Sequence, residues 1–219
     1  MTASHHTHHT NRTHQSADPA AVAVLNATLM HVPFDGWSDA ALAAGAADAG
    51  VSYDRVAALF PKGAIDAIAL HSRLADAEMV AAFEALPEPP QKTHLAIRAL
   101  VLLRLELAQA NKDAVRRALS FLALPAHAKL SAELLYATVD TMWRAAGQQD
   151  TGFSFYTRRA TLAAVYSSTM LAWLADNSGA MDKTVAFLDR RLANVASIPK
   201  ATAPLRGVKA AGERFASAM

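Results

Sequence analysis

The 219-residue chain has no cysteine. That excludes a disulfide framework and thiolate chemistry, and it suits a reducing compartment. No run of eighteen apolar residues is free of charge, so no membrane-spanning helix is expected. The first residues lack the charged-then-apolar order of a secretion signal. Phosphate loop, dinucleotide glycine fingerprint, HExxH and GxSxG are all missing. Glu78, Glu84 and Glu106 have no Glu-x-x-His partner of the kind a di-iron bundle requires. His31, His71, His94 and His127 are scattered singly and read as packed or exposed helix residues, not as ligands. These absences favour a binding protein over an enzyme, with no catalytic residue, metal site or cofactor expected.

Cations are scarce where a nucleic-acid reader would need them. Residues 1–60 carry two arginines against five aspartates, a net −3, while residues 154–219 carry nine cations against four acids, a net +5. Helix, helix, glycine turn and short helix follow one another over 18–86, the layout of a helix-turn-helix unit. Its short helix, Tyr53 to Phe60, has Arg55 as its only cation, next to Asp54. Neutralising phosphates is what non-specific DNA binding depends on. The layout is there without the chemistry, and no nucleic-acid partner is expected.

What the sequence has is helix. Hydrophobic residues make up 53% of it, enough for a sizeable core without staples, and no period-2 alternation is long enough for a strand. Residues 1–17 are polar and hold five of the nine histidines; this composition predicts a disordered tail. Asp18-Pro19 starts a first helix running to about His31, with Val32 to Gly36 as a turn. Ser38 caps a second helix and Ser52 a third, and a fourth runs from about Ala64 to Leu86. Pro87 to Pro90 is a stiff connection to a body over 87–198, with helices near 92–110, 111–124, 127–146, 153–177 and 182–197. Pro199 and Pro204 bracket a hinge. The tail beyond it puts Leu205, Val208 and Phe215 near one face with Arg206, Lys209 and Arg214 outside it. Residues alone leave two readings, a peripheral membrane helix and a frayed tail packed on its own domain.

The aromatics concentrate between Trp143 and Trp173. Phe155, Leu162, Tyr166 and Trp173 recur near the helical period, which fits an aromatic core seam. Phe153, Phe155 and Tyr156 sit at the start of that helix, just before Arg158 and Arg159. Rings beside arginines are the usual composition of an interface hot spot.

The string WRAAGQQDTGFSFYTRRATLAAVYSST from Trp143, FLDRRL at Phe187–Leu192, HVPFDGW at His31–Trp37 and LFPKG at Leu59–Gly63 resemble one family. It is the lipid-binding ubiquinone-biosynthesis accessory proteins, the Coq nine family, and the resemblance covers about residues 20–198. It implies an all-α TetR-regulator-like bundle, a homodimer, and an apolar pocket for isoprenoid lipids or ubiquinone intermediates. The implied partner is the di-iron demethoxyubiquinone hydroxylase, which does the chemistry. An amphipathic C-terminal helix would touch the membrane, through Leu205, Val208 and Phe215 here. The implied location is cytoplasmic and peripheral to the inner membrane, or the matrix side in a mitochondrion. The hydroxylase-facing patch aligns with Met142, Gly152, Phe155 and Tyr156, with Arg159 close by. Gly152 replaces a usual aspartate, and Phe155 stands where some members carry tryptophan. Leu102, Tyr136, Tyr166, Met170 and Trp173 are the expected pocket lining; the alternative is that they fill a solid core. The competing function on the same fold is a transcriptional repressor.

Overall fold

In the computed structural model the described residues are 17–148 and 153–197, and they form helices joined by short turns, with no strand among them. The His-rich tail, Gly152 and the C-terminal segment with Leu205, Val208 and Phe215 lie outside the described residues.

Local chemistry sets the N-terminal helices. α1 (Pro19–Asp35) starts where Asp18 accepts a hydrogen bond from the Ala20 amide at 2.9 Å. Pro19 supplies the φ of a first turn and loses no intrahelical bond there. α1 does not stop at His31 as expected. It continues through Pro33 and ends at Gly36, whose φ of 68° suits glycine. Pro33 lies in the last turn, and its carbonyl, which the helix leaves unbonded, accepts from Arg117 Nη2. α2 (Asp39–Asp48) is capped by Ser38. It crosses α1 so closely that a Cβ on Gly45 would lie 2.3 Å from Thr28 Oγ1 and 2.5 Å from the Thr28 amide nitrogen. α3 (Tyr53–Leu59) is short, and α4 (Ala64–Glu84) is long.

The helices after the proline connection are α5 (Thr93–Leu107), α6 (Lys112–Leu122), α7 (Ala128–Ala145), α8 (Phe153–Ala175) and α9 (Asp182–Ser197). They build two cores, and α4 runs through both. The first joins α1 to α3 and the start of α4 to Ala114, Ala118 and Leu122 of α6. Trp37 Nε1 ties this union by donating to the Ala114 carbonyl at 2.9 Å. The second gathers Met79 and Phe83 of α4 with Leu100 and Leu105 of α5, Met142 of α7, Trp173 of α8 and Leu188 of α9. α6, from beyond the prolines, therefore completes the core of the N-terminal helices.

The end of α8 is held by a dense set of hydrogen bonds. Lys112 Nζ donates to the Asp176 carbonyl, and Arg116 Nη2 donates to that of Leu174 at 3.0 Å. The Asp176 carboxylate accepts from the amide and hydroxyl of both Ser178 and Thr184. These bonds, those from Ser178 foremost, hold its carboxyl well below the usual carboxylate range. α8 is thus fixed at its C-terminal end.

Candidate functional site: a half-open cavity and an aromatic patch

A cavity of about 220 Å³ opens along the seam between the two cores. Its walls come from five helices. Ile68 and His71 of α4, Ala118 and Leu122 of α6, Leu134 and Leu135 of α7, and Met170 and Leu171 of α8 supply mostly apolar surface. Leu171 is 63% exposed and marks the mouth. A dry apolar cavity of about 150 Å³ is enough for benzene, so this one accommodates a ring and a few carbons.

One end of the cavity is polar. Arg104 of α5, Thr138 of α7 and Tyr166 of α8 reach it, all under a tenth exposed. Behind them Asp76 accepts from Arg104 Nε at 3.0 Å and from Thr138 Oγ1 at 2.9 and 3.0 Å. Burial raises the Asp76 carboxyl against the opposing pull of Arg104 and Thr138. Burial first, and then the Arg104 guanidinium, push the His71 imidazole down to about 4, so it is neutral at physiological pH. Burial also raises the Tyr166 phenol, which keeps its proton and remains a donor.

Of the five expected pocket residues, the structure brings Tyr166 and Met170 into the lining. Trp173 is fully buried in the second core, where its indole N–H donates to Gln109 Oε1 at 2.8 Å. Leu102 packs against that same core. Tyr136 is 48% exposed on the outer face of α7. Arg104, Asp76 and Thr138 were not anticipated, and His71 was anticipated only as a packed or exposed residue. The available signal was a single arginine inside the apolar run Leu100 to Leu105, since a charge is almost never fully buried unless paired.

The second feature lies at the start of α8. Tyr156 is 69% exposed, and its ring meets Phe155 edge-on with centroids 5.0 Å apart. Arg159 is buried: its guanidinium sits 3.4 Å from the Phe155 ring centroid, and Nε donates to Asp140 Oδ1 at 2.8 Å. Asp140 also pairs with Arg144 at 2.7 Å. Met142 is wholly buried in the second core. Among the described members of the expected patch, then, Tyr156 presents surface, Phe155 is half-buried with Arg159 stacked on it, and Met142 lies inside the second core.

The all-helical fold is that of TetR-type regulators. It superposes on a TetR transcriptional regulator from Nitrosomonas europaea with a TM-score of 0.63 at 21% identity, covering 82% of this chain and 99% of that one. That likeness concerns the fold. Sequence adds the family: residues 128–199 match the COQ9 family model. The chain is 35% identical to the human mitochondrial ubiquinone biosynthesis protein COQ9 over 77% of its own length and 55% of that protein. To the bovine COQ9 it is 32% identical over 87% of its length and 60% of that protein. The chain belongs to the COQ9 family and spans little more than half the length of these relatives.

Proposed function

We propose that this protein is a lipid-binding accessory protein of ubiquinone biosynthesis. In this reading it holds the head end of a quinone intermediate and presents it, without catalysing the step, to the di-iron demethoxyubiquinone hydroxylase at a membrane surface. The observation that carries the proposal is the half-open cavity between α4, α6, α7 and α8, apolar along its walls and polar at one end, in a chain similar to proteins named for ubiquinone biosynthesis. A long-tailed quinone is nearly insoluble, so a carrier must offset the exposure of its chain. At about 0.8 kcal/mol per buried CH₂, shielding ten carbons offsets roughly 8 kcal/mol. A cavity of 220 Å³ covers the ring and the first carbons; the rest of the tail would leave past Leu171, toward the membrane or a second copy of the chain. Tyr156 and Phe155, the latter braced by Arg159, would form the contact with the hydroxylase, together with Met142 and Gly152. Leu205, Val208 and Phe215 would touch the membrane in a peripheral homodimer, cytoplasmic or on the matrix side.

Two measurements test this. Mass spectrometry of a lipid extract from the purified protein should show a bound isoprenoid or quinone; an extract without lipid counts against the cavity's role. In liposome flotation the full chain should float and retain added hydroxylase, whereas a truncation after Ile198 should stay soluble. If both forms stay soluble and ignore the hydroxylase, the membrane and partner roles fall together.

The repressor reading draws support from the TetR-type fold. The one cation of α3, Arg55, is engaged in an ion pair with Asp18, so the helix that would enter the groove offers no uncommitted charge to phosphate. A DNA-binding screen showing salt-dependent affinity would favour the repressor.

A further inference from the structure

We infer that Arg104, His71 and Tyr166 select the ligand of the α4–α8 cavity by its head group, favouring an uncharged oxygen-bearing ring over an anionic phosphate head. This rests on the lipid-binding reading above and deepens it. Arg104 spends its Nε on Asp76, and no described residue takes up its Nη groups. The Tyr166 hydroxyl and the His71 ring nitrogens likewise have no hydrogen-bond partner among the described residues. All three side chains line the same cavity. Arg104 and Tyr166 are more than nine-tenths buried, yet their spare donors open into a mostly apolar cavity beside the half-buried His71; side chains so buried are ordinarily satisfied, which points to an oxygen-bearing ligand.

Charge then narrows the class. Asp76 cancels Arg104 at contact distance, and Glu78 also acts on Arg104 electrostatically. His71 adds no charge at neutral pH. The cavity end therefore offers donors without net positive charge. A carbonyl or phenol oxygen gains hydrogen bonds there. A phosphate would bring a second negative charge against a guanidinium already paired with Asp76, which is costly.

The test uses three probes with one tail, applied to the full chain by calorimetry or native mass spectrometry: decyl-1,4-benzoquinone, decylbenzene and decyl phosphate. The quinone should bind about tenfold tighter than the other two, the worth of a hydrogen bond to a charged donor. Tyr166→Phe should weaken the quinone several-fold and leave decylbenzene unchanged, a difference a merely structural role would not produce. Asp76→Asn keeps the shape and uncovers the Arg104 charge, so decyl phosphate should gain about tenfold. Equal binding of quinone and decylbenzene, or a wild-type preference for decyl phosphate, would overturn the inference while leaving lipid binding intact. Failure of all three probes to bind would overturn lipid binding as well.

Discussion

Two buried Asp–Arg pairs, Asp76–Arg104 and Asp140–Arg159, look alike in a list of contacts and differ in what surrounds them. In the cavity pair the carboxylate is saturated by Arg104 and Thr138, and the outer edge of the guanidinium faces open space. In the α8 pair the guanidinium is closed off by the Phe155 ring, and its Nη1 lies 3.3 Å from the Phe155 carbonyl. Its carboxylate reaches out instead, to the exposed Arg144. An arginine beside aromatics is therefore not by itself a recognition group. The first pair leaves donors for a ligand; the second fixes a platform from which Tyr156 projects.

The difference predicts unequal costs of breaking each pair. Asp76→Ala leaves Arg104 buried with no counter-charge in contact, and losing one partner of such a pair costs about 3–5 kcal/mol. Urea unfolding should show this as a lowered midpoint at constant slope. His71 should produce the next largest effect, as an acid dependence of stability. The unfolded imidazole takes its proton near 6.5 and the folded one only near 4. Between those values the unfolded state binds more protons, so stability falls as pH falls, by about 3 kcal/mol in all, and levels off below pH 4. His71→Gln should flatten that stretch of the curve. If the slope persists in the variant, a group other than His71 carries it.

These residues mark where the sequence stopped being legible. Helix positions followed from local chemistry: Asp18-Pro19, Ser38, Gly36 and Gly63 start or stop helices through contacts within a few residues. The turn expected over Val32 to Gly36 is instead the last turn of α1, whose Pro33 carbonyl is satisfied by Arg117 from a distant helix. The cavity depends on such distant meetings throughout. Asp76 finds Arg104 28 positions away and Thr138 62 away, and no spacing encodes that. Three expected lining residues lie outside this cavity. Leu102 and Tyr136 lie two positions before Arg104 and Thr138, about 200° round their helices and so on the opposite side. Trp173 shares a face with Tyr166 but sits about two turns further along, inside the second core. A lone arginine or aspartate in an apolar run, Arg104 and Asp140 alike, was the readable signal.

The α8 pair should break more gently. Arg159→Ala removes the stacked guanidinium, yet Asp140 keeps Arg144. The cost should be about 2 kcal/mol, below that of Asp76→Ala because the remaining charge is still paired. Arg144→Ala should cost under about 1 kcal/mol, since its side chain is 76% exposed and such pairs are screened by solvent. A thermal or urea series in which Arg144 outweighs Arg159 would reverse the assignment of inner and outer partner.

The smallest effect on stability should come from Tyr156→Ala, and it isolates surface from scaffold. The ring is 69% exposed and gives up only its edge contact with Phe155, so unfolding should shift by no more than about 0.5 kcal/mol. If Tyr156 is an anchor for the hydroxylase, flotation should show retention of that partner falling at least tenfold, the loss typical of a hot-spot aromatic. Arg159→Ala would lower both stability and retention, because it loosens the base on which the ring stands. Only the exposed ring should separate the two quantities. A Tyr156 variant that keeps full retention while the Arg159 variant loses it would move the contact off the exposed ring and onto the α8 backbone that Arg159 holds in place.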